Sequence, residues 1–220
     1  MLFITACVVS TRALTSPPNG WLARTNVPQI SERMRLEAVQ QAVMDGQYIS
    51  GAEDAAMAAI GGKLSSTYGE ITPLGFSALG QRLKLGPGDT FVDCGSGLGR
   101  CVAQAVHEFG VSQSFGIEFS SSRHNLAVAA LQCDDADDAL SDRICLVQGD
   151  CADATWWAGS SEASKCTCAY TCNILFDDAL NRRLKHCFEG CDSIRRVAAF
   201  KQWSEGLKGF GEPFEVRYAC

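Results

Sequence analysis

The sequence of 220 residues has no excess of positive charge: 19 Lys and Arg stand against 25 Asp and Glu, a net charge of -6. A nucleic-acid binder usually carries the opposite sign, so direct DNA or RNA binding is disfavoured. No apolar run approaches the roughly 20 residues that a membrane-crossing helix needs. A charge-free apolar stretch, Met1 to Ser10, opens the sequence at half that length, and no spanning segment is expected. None of the 12 cysteines forms a C-x-x-C pair, and Cys166 and Cys168 lack the second half of a zinc site, so no metal centre is expected. A chain this long builds a core without disulfide staples, and Cys94, Cys145, Cys166, Cys168 and Cys172 fall in apolar runs where a reduced thiol packs as a small hydrophobe. No catalytic triad is evident either, since His107 and His124 lie within helical patterns and His186 near the end of another.

Acidic residues are missing from Met1 to Gln29, which holds Arg12 and Arg24 and is rich in Ser and Thr before Pro17 and Pro18. Residues 1–30 therefore read as a leader or a disordered N-terminus. A retained N-terminus leaves the protein nuclear or cytoplasmic, and a cleaved leader makes it organellar. Residues 31–66 read as a helical extension. Leu36, Val39 and Val43 recur at helical spacing, and Ser50 with Glu53 forms a capping-box pattern ahead of an Ala-rich helix that stops at Gly61-Gly62.

Residues 67–220 form the main domain, with room for one core. Thr72-Pro73 opens a helix that Gly86-Pro87-Gly88 ends. Strands then alternate with helices: strand Thr90 to Cys94, helix Arg100 to Phe109, strand Ser114 to Glu118, helix Ser122 to Leu131. After an acidic loop (Asp134, Asp135, Asp137, Asp138) come strands Ile144 to Gln148 and Thr167 to Asn173, helix Asp177 to Phe188 and strand Val197 to Lys201. This period predicts an α/β fold, a doubly wound, mostly parallel sheet covered on both faces. Trp156-Trp157 reads as a helix packed on the sheet, and Arg182, Arg183, Lys185, Arg195 and Arg196 as a solvated basic face.

The chemistry concentrates in Phe91-Val-Asp-Cys-Gly-Ser-Gly-Leu-Gly-Arg100. Gly95, Gly97 and Gly99 allow bare main chain to approach a ligand at the carboxyl end of the first strand. A dinucleotide fingerprint would need glycine at position 100, where Arg100 stands. The order Asp-x-Gly-x-Gly-x-Gly instead resembles the S-adenosylmethionine loop of class I methyltransferases, whose ligand brings an ammonium and a sulfonium that Asp93 can attract where it would repel phosphates. Glu118, ending the second strand, is placed to accept the two ribose hydroxyls, and Asp150, after the third, to accept an adenine amino proton. Asp93, Glu118 and Asp150 thus close three consecutive strands on the ligand-binding edge.

Thr67-Tyr-Gly-Glu70, the glycine loop, Gly116-Ile-Glu118, Gln148-Gly-Asp150 and Cys172-Asn-Ile-Leu-Phe176 resemble, in that order, the disruptor-of-telomeric-silencing family, histone lysine methyltransferases without a SET domain. The resemblance covers about Thr67 to Trp203 and implies a class I methyltransferase Rossmann-like fold, S-adenosyl-L-methionine as cofactor and a protein substrate, histone among the candidates. It further implies that Glu70 reaches the cofactor's amino-acid end and that Asn173, the catalytic candidate, lies beside the methyl group and the lysine channel. Three positions depart from the pattern. Arg100 replaces a Gln, Cys151 replaces an aromatic, and Cys172 replaces the first of two adjacent Asn. The family's closing hairpin would follow Phe214 to Tyr218, so either the sequence is truncated or the sheet lacks a strand. Two other readings stay open: a class I methyltransferase acting on a small molecule or a non-histone protein, and a catalytically silent cofactor-binding or interaction module.

Overall fold

The computed structural model describes residues 6–11, 49–133 and 142–217. Leu36, Val39 and Val43, expected in a helix, the acidic loop at 134–138 and most of residues 1–30 lie outside them.

Five helices and seven strands are described: β1 (Ala6–Thr11), α1 (Gly51–Gly61), α2 (Pro73–Leu83), β2 (Thr90–Cys94), α3 (Arg100–Phe109), β3 (Gln113–Glu118), α4 (Ser121–Cys133), β4 (Ile144–Gln148), β5 (Cys168–Thr171), α5 (Asp178–Gly190), β6 (Arg196–Ala199) and β7 (Phe214–Arg217). The strand order is β4-β3-β2-β5-β6-β1-β7. Strands β2 to β6 run parallel, the doubly wound arrangement expected. From β2 the chain winds outward through β3 and β4, then returns to the other side of β2 for β5 and β6. That reversal leaves a crevice at the carboxyl ends of the central strands.

Strand β1 was not anticipated. It lies antiparallel between β6 and β7, with Val9 opposite Ala198 and also opposite Phe214. The segment read as a leader or disordered tail thus contributes a strand, in a sheet whose last third the sequence reading left open.

The helix signals act as written. Ser50 accepts the Glu53 N–H while the Glu53 carboxylate accepts the Ser50 N–H, Thr72 accepts the Gly75 N–H ahead of Pro73, and Asp177 accepts the Leu180 N–H. Asp177 is therefore the cap of α5 and not its first residue. Period-two alternation then sorts the core onto two faces. Phe91, Cys168, Tyr170 and Ala198 pack against Phe76, Leu79 and Leu83 of α2 and Val106 of α3. Val92, Cys94, Ile117, Ala169 and Val197 pack against Leu184 and Phe188 of α5 and against Trp157. Phe76 meets Phe91 and Tyr170 edge-on, with ring centroids 5.6 and 5.9 Å apart. Trp157 packs on the sheet, as the sequence suggested, and its indole N–H donates to the Cys151 carbonyl. Cys145 is exposed, unlike Cys94 and Cys168 of the central strands, because β4 is an edge strand with only one neighbour. Among the described residues no helix is long and apolar enough to cross a membrane.

Candidate functional site

Three adjacent strands deliver one carboxylate each to the crevice. Asp93 lies in β2, Glu118 ends β3, and Asp150 follows β4 by two residues. Cut into the sheet edge above them is a cavity, open to solvent on one side and lined by Glu70, Gly95, Gly97, Glu118 and Asp150 among the predicted residues. Asp93 and Gly99 stand behind that lining. Asn173 is not part of it.

Glu118 organises the glycine loop. Its side chain is 4% exposed; Oε2 accepts the Gly97 N–H at 2.8 Å and Oε1 the Ser120 N–H at 2.9 Å. Burial raises its pKa, opposed by those two backbone donors and by Arg123. Gly97 has φ +54°, and a Cβ there would come within 3.0 Å of the Tyr68 ring and 3.4 Å of Glu70 Oε1. A side chain at this point would fill the space under the Tyr-Gly-Glu segment.

That segment closes over the loop. Tyr68 donates its hydroxyl to Glu70 Oε1, and Arg100 pairs with Glu70 Oε2 at 2.9 Å. Arg123, 4% exposed on α4, lies over the Tyr68 ring at 5.1 Å and donates to the Ser66 carbonyl. Burial raises the pKa of Tyr68, so the phenol stays a donor. Glu70 is also raised, by burial, against the pull of Arg100.

Asp93 carries the clearest ligand signal. It is 3% exposed and its Oδ1 has no hydrogen-bond partner. Burial raises its pKa well above the usual carboxylate range, reinforced by the charges of Glu70 and Glu118. An unsatisfied acceptor flanked by two further carboxylates suits a cation and repels a pyrophosphate. The donor set therefore fits an adenosyl sulfonium amino acid, with carboxylates for its ammonium and hydroxyls and bare main chain for close approach.

Two predicted residues are placed differently from their expected surroundings. Asp150 accepts the Ala152 N–H on Oδ1 at 2.9 Å, but its Oδ2 pairs with Arg183 of α5. Arg183, Lys185 and Arg196 are thus not a free basic face. They pair with Asp150, with Glu189 and Glu205, and with Asp89. Asn173 is fully buried, donates to Asn181 Oδ1 at 2.7 Å and to the Lys201 carbonyl at 3.0 Å, and accepts the Lys201 N–H at 2.8 Å. Its amide is spent joining the ends of β5 and β6 to α5, and the neighbour that lines the cavity is Cys172. The Asn173 side chain, expected beside the methyl group, thus points into this packing and not into the cavity.

Sequence reasoning missed Arg123, Met57 and Ile60, which also line the cavity, and named Phe176 only as the end of a motif.

Over residues 62–206, more than half of the chain, the sequence matches the family described as histone methylation protein DOT1. The chain belongs to the DOT1 family. This is the disruptor-of-telomeric-silencing family that the motifs resembled. Among relatives in that family, a histone-lysine N-methyltransferase, H3 lysine-79 specific, from Eremothecium gossypii is 43% identical over 65 residues, which is 30% of this chain and 11% of that protein. A protein of the same description from Cryptococcus neoformans is 47% identical over 60 residues, 27% of this chain and 9% of its own length. The matched segment is thus about a tenth of these DOT1 relatives. Solved structures similar to this chain include an RNA methyltransferase from Salinibacter ruber bound to S-adenosyl-L-homocysteine, at 20% identity and a TM-score of 0.43 over 56% of this chain and 71% of that one. The glycopeptide N-methyltransferase MtfA bound to S-adenosyl-L-methionine is 20% identical, with a TM-score of 0.40 over 50% of this chain and 46% of that one.

Proposed function

We propose that this DOT1-family chain is an S-adenosylmethionine-dependent protein lysine N-methyltransferase, with a histone as the substrate. The observation that carries the cofactor is Asp93, a buried carboxylate whose Oδ1 has no hydrogen-bond partner, with Glu70 and Glu118 beside it. The substrate class rests on family membership and on relatives described as H3 lysine-79 specific.

S-adenosylmethionine, when bound, supplies a methyl group already activated on a sulfonium. The protein's own share is then positioning and exclusion of water. Glu70 and Asp93 would hold the amino-acid end, Glu118 would accept from the ribose hydroxyls while fixing Gly97, and Asp150 would accept from the adenine amino group. Burial raises the pKa of Asp93, and a cation beside it would favour its charged form. Met57 and Ile60 of α1 wall the pocket against solvent. No strong base is needed, since a lysine amine delivered neutral into a dry site is itself the nucleophile. Asn173 acts through its neighbour, holding Cys172 on the cavity wall.

Incubation of the protein with methyl-labelled cofactor and nucleosomes or cell extract tests the proposal. Label on a protein lysine is expected. Label on small molecules alone would overturn the substrate class, and no cofactor-derived label anywhere would overturn the activity.

A further inference from the structure

One carboxylate outside the DOT1 match at 62–206 makes more contacts than its own helix requires. Glu53 belongs to α1, where it completes the capping box with Ser50. The same carboxylate also reaches the start of α4, nearly seventy residues further along. Its Oε1 accepts the Ser122 N–H at 2.9 Å and the Ser120 and Ser121 hydroxyls at 3.0 Å, and its Oε2 accepts the Ser122 hydroxyl at 2.6 Å. Glu53 therefore caps two helices at once. Hydrogen bonds from Ser122 hold its carboxyl far below the usual carboxylate range, against the opposing effect of burial.

The placement gives this contact a functional meaning. Ser120 donates its N–H to Glu118, the carboxylate that fixes the glycine loop, and its hydroxyl to Glu53. One turn and two turns beyond Glu53 on α1 stand Met57 and Ile60, which wall the cavity. Ser65, just after α1, ties back to the Met57 carbonyl, while Arg123 of α4 grips Ser66 and covers Tyr68. The first turn of α4 thus anchors both α1, through Glu53, and the Ser66–Tyr68 stretch, through Arg123.

We propose that Glu53 is the latch of this cover, a positioning residue that fastens α1 onto the Ser120–Ser122 turn and so holds the cofactor pocket shut around its occupant. The latch rests on the cofactor reading above only for the identity of that occupant. Opening it frees Met57 and Ile60 to move outward and lets bound cofactor escape faster.

S-adenosylhomocysteine affinity by calorimetry and amide exchange over 57–61 by mass spectrometry test it together, on the whole chain. Glu53→Ala is expected to weaken binding about tenfold, the loss of roughly one charge-assisted hydrogen bond's net contribution, and to speed exchange over 57–61. Glu53→Gln keeps an acceptor for the Ser122 N–H and should recover part of both effects. If Glu53→Ala fails to fold, Ser122→Ala replaces it, with a smaller change of the same sign. Adding Ser122→Ala to Glu53→Ala should cost nothing more. Wild-type affinity and wild-type exchange in the variants would overturn the latch. If the unaltered protein ignores S-adenosylhomocysteine, the cofactor reading fails instead, and the latch stands or falls on whether exchange over 57–61 rises.

Discussion

Replacing Glu118 by Ala separates what the carboxylate does for the fold from what it does for the ligand. In the unliganded protein its two oxygens satisfy the Gly97 and Ser120 N–H groups at 2.8 and 2.9 Å in a site 4% exposed. Each buried donor left without a partner costs about 1–3 kcal/mol. The side chain that leaves borders an open cavity, so water enters and satisfies part of the deficit. The fold should therefore lose about 1–3 kcal/mol in total, measured as a lowered urea midpoint with unchanged slope. Ligand binding loses the carboxylate's bonds to the ribose hydroxyls, about another 1–3 kcal/mol, or roughly 5- to 150-fold in the dissociation constant for S-adenosylhomocysteine. Calorimetry well below the unfolding transition reads the second quantity free of the first. An affinity within twofold of wild type would refute the reasoning, because it would mean that no ligand hydroxyl meets Glu118.

Three further substitutions probe other parts of the site. Gly97→Val should abolish S-adenosylhomocysteine binding in calorimetry, because φ +54° and the Tyr68 ring 3.0 Å from the new Cβ force either the loop or the Tyr-Gly-Glu segment aside. Asn173→Ala removes three buried hydrogen bonds and should lower stability by about 2–4 kcal/mol in a urea melt while changing cofactor affinity little. A selective loss of binding would instead place its amide at the ligand. Asp93→Asn concerns pH. The folded-state pKa of Asp93 is raised, so the folded chain holds a proton that the unfolded chain has released. Stability from this group is complete below the ordinary Asp pKa and falls as pH rises from there through the folded value. The Asn variant should lack that decline in chemical melts across acidic to neutral pH and should bind the cationic cofactor more weakly; an unchanged pH profile would contradict the assignment.

What could be read from the sequence was local. The capping box at Ser50, the Thr72-Pro73 start, the glycine loop and the three strand-end carboxylates follow from spacing and from the parallel winding, and all appear where the pattern put them. What could not be read depends on contacts between distant segments. Strand β1 pairs with residues 196–199 and 214–217, and nothing within Ala6–Thr11 specifies either partner. Whether Cys172 or Asn173 faces the cavity is decided by the 3-10 turn Asn173–Leu175 that ends β5 early, where the apolar run suggested a longer strand. Arg183 meets Asp150 only because α5 packs beside the 154–157 turn that follows β4, so a residue that reads as surface charge becomes the partner of a cavity-lining carboxylate. Glu53 reads as one member of a capping box, and only the fold brings three serines to it.

The most direct test is a crystal structure of the protein with S-adenosylhomocysteine. The account predicts the ribose on Glu118, the amino-acid end between Glu70 and Asp93, and the adenine at Asp150, with α1 closed over them. Density for the ligand elsewhere, or a lattice grown in saturating ligand that leaves the tips of β2, β3 and β4 bare, would contradict it.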